Sequence, residues 1–378
     1  MLQSSQKLGG FQLVEKKKSI LNTVIVYTII FFLVFLVVNH FLFKVTEYVE
    51  NNIPSITPNS KIVVNLLTYH TRNIERWDIA YLENKDHSNE FIYRRILGLP
   101  GESLYLKNGD VYINNSLQQK NSDLQKGLWV PGFNLKESIA KNPSNPEEPF
   151  SIFQNQIWQI SPQGVLSSHL GGEGKIALNM ENIGEKNTRD MCVSFDLTFT
   201  KDIGKFYLLT HYYDKQLLFY VPSASIKKNP HIQEEMKIIK SFAGVQFRPG
   251  VSYHVDYWLY DKKLEIFING QRIWRQNWGK ETLDEKRIAP TSLVLGVINS
   301  EVSVNNFEVK RDITFENMGR YGIDPEMPYK IAADQYFVAT ENPDTSPSDS
   351  RGNGSVGSEY IKGKVVMSFY PNFMKWIY

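Results

Sequence analysis

The chain has almost no cysteine: Cys192 is the only one in 378 residues. A single thiol excludes an internal disulfide framework and any zinc cluster built on cysteine. Net charge is scarce too. The 42 Lys and Arg nearly cancel the 40 Asp and Glu, leaving +2, which gives no electrostatic reason to expect a nucleic acid partner. No internal repeat is visible. His254 lies in a strand-like run with no second metal-type ligand at useful spacing, so no metal and no cofactor are expected.

Aromatics are plentiful, with 20 Tyr, 22 Phe and 7 Trp. Aromatic and β-branched residues favour strands, so the chain is expected to be mostly β. Its length suits two domains, or one domain with a large insertion.

One segment does not fit a globular pattern. Ile20 to Phe43 carries no Asp, Glu, Lys or Arg. Its 24 residues would rise roughly 36 Å as a helix, against a hydrocarbon core of about 30 Å. The segment ends in His40-Phe41-Leu42-Phe43-Lys44, which lacks the small residues of a cleavage site. The expectation is an uncleaved transmembrane helix over 20–43, after a cytoplasmic tail over 1–19. Lys16-Lys17-Lys18 precedes it, so the positive-inside rule puts the N-terminus in the cytoplasm and the bulk outside. The expected place is the cytoplasmic (inner) membrane, single-pass, with an extracytoplasmic or periplasmic body and the lipid bilayer as a partner.

Beyond that segment come short strand-like runs: Ile62 to Leu67, Asp78 to Leu82, Phe91 to Leu97. Leu104-Tyr105-Leu106 and Val111-Tyr112-Ile113 flank Asn108-Gly109, a strong hairpin signal. Residues 121–150 are rich in Asn, Pro, Ser, Lys and Glu and read as a linker. From about Ile152 to Phe315 strands recur with turn signals every 8–12 residues, which argues for a β-sandwich. The aromatics Tyr253, Tyr257, Trp258, Trp274 and Trp278 are expected in its core. Tyr253 to Arg275 resembles the laminin-G/concanavalin-type jelly roll, in which W-H-x-V-x-x-x-Y is followed by L-x-x-Y-x-N-G.

Four further blocks share one resemblance. They are Ile53-Pro54-Ser55-Ile56-Thr57-Pro58, Arg76-Trp77-Asp78-Ile79-Ala80-Tyr81, Arg94-Arg95-Ile96-Leu97-Gly98-Leu99-Pro100-Gly101-Glu102, and Tyr336 to Arg351. In that order they resemble the type I signal peptidases, whose patterns run S-M-x-P, R-G-D-x-V, K-R-x-x-G-x-P-G-D and Y-F-V-x-G-D-N-R-D-N-S-x-D-S-R. The resemblance implies a serine peptidase body over 44–120 and 318–378, with the jelly roll inserted at 151–317. It makes Ser55 the nucleophile and places Arg94 where the family carries its lysine base. Arg95, Ser346 or Ser348, Asp349 and Arg351 are the supporting residues, the last two as a structural ion pair.

The departures bear on chemistry. Serine needs a neighbouring base, and a buried lysine loses its proton because desolvation lowers its pKa. A guanidinium, with pKa above 12, is deprotonated to only about one part in 10⁵–10⁷ at pH 7. Ile56 stands where the family has Met, and Thr340-Glu341-Asn342-Pro343 replaces G-D-N-R. Arg94 also reads as a plain strand arginine in a salt bridge with Asp349 or Glu102, and Ser55 as an ordinary loop serine.

The main expectation is a membrane-anchored signal peptidase-like serine endopeptidase that removes signal peptides from exported preproteins. Its base would be Arg94 or a lysine such as Lys61 or Lys85. Two alternatives stand beside it. One is an inactive pseudopeptidase that binds signal sequences. The other is a surface protein that binds a glycan or protein through the jelly roll.

Overall fold

The computed structural model describes residues 22–36, 42–49, 53–54, 56–84, 90–180, 189–279, 293–315, 318–341, 349–369 and 375–377. Contacts divide the chain into two units. One is Met1–Gly101 with Ile331–Thr340 and Ser355–Tyr378, and the other is Glu102–Lys330 with Glu341–Gly354.

The first unit is built on an antiparallel sheet. Its described strands run Phe43–Tyr48, Ser60–Asn65, Ile361–Phe369, Ile79–Glu83, Phe91–Gly98, Gln335–Ala339 and Val356–Gly357, with Lys375–Trp376 pairing Ile361–Phe369. Strands hundreds of residues apart are neighbours: Leu82 pairs Ile361, and Ile96 pairs Val338. Both faces are covered. Ile62, Val64, Ile79, Tyr81 and Val365 fill one core; Ala80, Leu82, Ile96 and Val338 fill another. Burial on both sides explains why Ile79-Ala80-Tyr81-Leu82 is an unbroken apolar run instead of an alternating one. At the end of strand Phe91–Gly98 the chain turns through Gly101, whose φ of +80° suits glycine.

The expected membrane-crossing helix is corrected here. Among the described residues no helix is long and apolar enough to cross a membrane. The described helix covers residues 22–36, a rise of about 22 Å, and Phe43 already belongs to a strand, paired with Asn65. The single-pass inner-membrane placement, the bilayer as partner and the membrane-anchored peptidase fall with the crossing helix, and the signal-peptide partner loses its footing. Residues 1–21, which hold the lysines used for orientation, lie outside the described residues.

The second unit is a β-sandwich. One sheet orders Trp158–Ile160, Leu166–Ser168, Val302–Arg311, Met191–Phe199, Ser252–Tyr260, Lys263–Ile268 and Gln271–Asn277, with Val130–Asn134 also on Val302–Arg311. The other orders Lys237–Ser241, His231–Glu234, Lys215–Pro222, Lys205–Tyr212, Leu293–Ile298, Glu173–Leu178 and Phe150–Phe153. Strand alternation explains the core. Val193, Phe195, Leu197 and Phe199 point inward and meet Phe206, Leu208 and Phe219 of the opposite sheet. The Phe195 and Phe206 rings lie 5.6 Å apart.

A third, four-stranded sheet belongs to this unit: Tyr329–Lys330, Ser103–Lys107, Asp110–Ile113 and Ser116–Leu117. Its first hairpin turns at Asn108-Gly109 with φ of +55° and +87°, the two positive values that a two-residue type I′ turn requires. Residues 121–150, which read as a linker, hold helices Ser122–Leu128 and Leu135–Lys141 and the strand between them. The asparagines that suggested a loop are helix caps: Asn121 accepts from Leu124 N, and Asn134 from Glu137 N.

Candidate functional site

Arg94 and Arg95 lie in mid-strand in the first unit, 4% and 0% exposed. Arg94 Nη1 donates to Tyr93 O at 2.7 Å, and Arg95 Nη1 donates to Trp77 O. Trp77 occupies the glycine position of the R-G-D pattern with φ of +77°, a conformation costly for a residue with a Cβ. Next to it, Asp78 pairs with Lys364 Nζ at 2.6 Å and accepts from Tyr69 OH at 3.1 Å. Burial, then the charge of Asp78, pushes the Tyr69 phenol well above its ordinary range. Ser55 lies outside the described residues; its neighbours Ile53 and Ile56 are buried. Lys61 is exposed, and Lys85 lies outside the described residues.

Ser346 and Ser348 also lie outside them. Asp349 and Arg351 fall in the second unit. There Asp349 caps the short helix Ser350–Asn353 by accepting from Arg351 N at 2.9 Å. Its carboxylate takes Arg351 Nη2 at 2.7 Å and Nε at 3.1 Å, a two-pronged buried pair.

Sequence reasoning missed a second cluster. Asp110, Asp190, Asp261 and Asp312 converge on the buried Lys120, whose Nζ lies 2.8 Å from both Asp261 and Asp312. Asp261 opens the hairpin turn Asp261-Lys262, where both residues have positive φ. Its N–H donates to Asp190 Oδ2 at 2.7 Å, while Tyr212 OH donates to Asp190 Oδ1 at 2.9 Å. Gln125 Nε2 and Ile313 N donate to Asp312 Oδ1.

Burial, then the charges of Asp261 and Asp312, pushes the Asp190 carboxyl up to about 7. Burial and the same neighbourhood raise Asp110 and Asp312. Burial pulls Lys120 down, but Asp261, Asp312 and Asp190 outweigh it and hold its ammonium above the usual range. Oxygens of Asp110, Asp190 and Asp261 lie within 4.8 Å of one another and could hold a cation. No sequence spacing signals this cluster, because its members are scattered from 110 to 312.

A third cluster lies on the outer face of the sandwich. His254 Nδ1 is 2.6 Å from Asp196 Oδ1, and His254 Nε2 is 3.3 Å from Ser194 Oγ. The order of atoms is that of a serine–histidine–aspartate relay, but the chemistry is not. The Ser194 hydroxyl donates to Asp256 Oδ1 at 2.8 Å, and Asp256 Oδ2 also reaches His254 Nε2 at 3.4 Å. Ser194 is 2% exposed in mid-sheet and is paired on both sides, with Asp256 and Glu308. On the Val302–Arg311 side the register shifts between Ser194 and Asp196. Asn306 Nδ2 completes the network on Asp196 Oδ2 at 2.7 Å. Of the expected core aromatics, Tyr257 and Trp278 are in the core, and Tyr253 and Trp274 border it. Trp258 faces the other way, packed with Trp129, Tyr260 and Phe267.

The comparisons bear on the first of these clusters. The family described as signal peptidase, peptidase S26 matches residues 20–156. Part of this chain is a distant relative of that family. The match reaches the Arg94 block and stops before the one at Tyr336 to Arg351. Signal peptidase IB of Staphylococcus aureus (strain COL) is 24% identical over 135 residues, 34% of this chain and 70% of that protein. Signal peptidase I P of Bacillus subtilis subsp. natto is 32% identical over 107 residues, 27% of this chain and 54% of that protein. Among solved structures, a carbohydrate-binding module, CBM66, from Bacillus subtilis has a TM-score of 0.30 at 10% identity, covering 43% of this chain and 93% of its own. A Bacillus subtilis protein of unknown function with a galectin-like fold has a TM-score of 0.32 at 11% identity, covering 50% and 100%. The relation is one of superfamily membership and does not extend to a Ser/Lys dyad.

Proposed function

We propose that this chain is a catalytically silent relative of the signal peptidases whose β-sandwich unit is a glycan-binding module. The observation that carries the first half is Arg94. At the position of the family's base stands a buried guanidinium whose Nη1 is spent on the Tyr93 carbonyl. Arginine has five N–H donors and no acceptor, so it cannot take a proton from a serine hydroxyl. The Ser194 cluster does not replace it, because Asp256 holds the serine proton.

The second half is supported by the chemistry of the sandwich surface. Its outer network mixes acceptors (Asp196, Asp256) with donors (His254, Asn306) within one patch. A ligand that both donates and accepts, as a polyol does, matches such a patch better than an ion of either sign.

Two assays test the reading. Purified chain incubated with peptides and preproteins carrying small residues at the scission site shows no turnover that Ser55→Ala abolishes; Ser55-dependent turnover overturns the first half. On a panel of immobilised oligosaccharides the chain binds at least one sugar; a blank panel overturns the second.

A further inference from the structure

The third sheet and the end of the sandwich enclose an open cleft of about 680 Å³ within the second unit. That is inside the usual range for small-ligand sites, roughly 300–1,000 Å³. Tyr112, Asn115, Gln119, Asn277 and Trp278 line it, with Lys262 at the side. No carboxylate is among its described lining residues, and three of them are neutral amides.

The amides are held in place. Gln119 Nε2 donates to Asp261 O at 2.7 Å and to Asn277 Oδ1 at 3.2 Å. Asn277 Nδ2 returns a bond to Gln119 Oε1 at 3.1 Å, and Asn277 Oδ1 also accepts from Gly279 N at 2.8 Å. Both N–H groups of Gln119 are thereby used. One N–H of Asn277 and one lone pair of Gln119 Oε1 are left side by side. A hydroxyl group fits that pair, accepting from one and donating to the other. An anion would want donors alone, and a cation acceptors alone. Asn115 sits at a second tight turn, where Asn114 and Asn115 have φ of +50° and +64°, so its amide is carried on a rigid tip. Tyr112 lies flat on Tyr105, with centroids 4.8 Å apart and planes 7° apart, and gives the cleft an aromatic wall for the C–H face of a sugar ring. A preformed site of this kind loses little on ordering its own side chains.

We infer that this cleft is the saccharide site of the module and that it takes a neutral, uncharged sugar unit. The inference rests on the glycan-binding reading above and adds the place and the ligand class.

The test uses the full chain on a panel of neutral and uronate oligosaccharides, followed by titration calorimetry with the strongest binder. Asn277→Asp removes the vacant donor and sets a negative charge beside Gln119 Oε1. Asn115→Gly removes an amide but keeps a residue that tolerates positive φ. Each weakens binding of the neutral sugar about tenfold, the effect of losing one good hydrogen bond, while Lys201→Ala, at an exposed ion pair with Glu301 away from the cleft, leaves it unchanged. Thermal melts of the two variants show whether the fold is kept, and Asn115→Gly stands as the test if Asn277→Asp does not fold. Binding that ignores both cleft variants but vanishes with His254→Ala overturns this inference and leaves the module reading standing. A preference for uronates overturns the neutral class. No binding to any sugar overturns the module reading itself.

Discussion

Asp190 shows what a single buried proton does. Its carboxyl is raised from its ordinary value of 3.8 to about 7. Between those values the folded chain holds a proton that the unfolded chain has released. The resulting stabilisation is complete below the unfolded value and is lost as the pH rises through about 7. The melting temperature of the sandwich unit therefore falls from pH 5 to pH 8, and Asp190→Asn flattens that slope; a midpoint that rises over the range contradicts the assignment. Lys120 is the counterpart. Lys120→Met leaves Asp261 and Asp312 buried without their ammonium and costs about 3–5 kcal/mol in denaturant unfolding. Neither residue was legible in the sequence. Arg94 was, because it falls inside a block whose neighbours Gly98, Pro100 and Gly101 fix its position. Trp77 lies between the two: its block was readable, but nothing local announces a tryptophan at φ +77°.

Turns were more legible than the elements they join. Asn108-Gly109 carries the residue types that tight hairpins favour and is a hairpin tip, whereas the Asp261-Lys262 tip puts a lysine at positive φ, which no turn preference announces. The stretch 121–150 misled because asparagine serves loops and helix caps alike. The apolar run at 20–43 is a different case: hydropathy reads composition alone, and among the described residues no helix is long and apolar enough to cross a membrane. At this scale Gly101 offers a clean test. A Cβ there would meet nothing within 4 Å, so Gly101→Ala costs only backbone strain, about 1–2 kcal/mol. A larger loss of unfolding free energy would mean that the turn makes contacts beyond its own dihedrals.

For the molecule as a whole, two units with separate cores should unfold in more than one step, since two-state behaviour belongs to single small domains. Calorimetry of the chain shows two transitions. Phe195→Ala, which empties a fully buried site in the sandwich, lowers one of them by about 3–5 kcal/mol and leaves the other in place. One shared transition that shifts as a unit would contradict the division. The sandwich was readable from its own strand rhythm. The long-range pairing of the first unit was not readable locally, because no local pattern tells Ile96 that its partner is Val338.

That interrupted body has a consequence for biosynthesis. Strand Ile361–Phe369 sits between Ser60–Asn65 and Ile79–Glu83, so the sheet lacks an inner strand until residue 369 has left the ribosome. The sandwich, whose strands lie between residues 130 and 311, is translated before that closing strand and can fold while the body waits. Two early strands therefore pass through translation with open edges, the kind of surface that other chains pair with. A ribosome that stalls just short of Ile361 leaves a finished sandwich tethered to an aggregation-prone half-sheet.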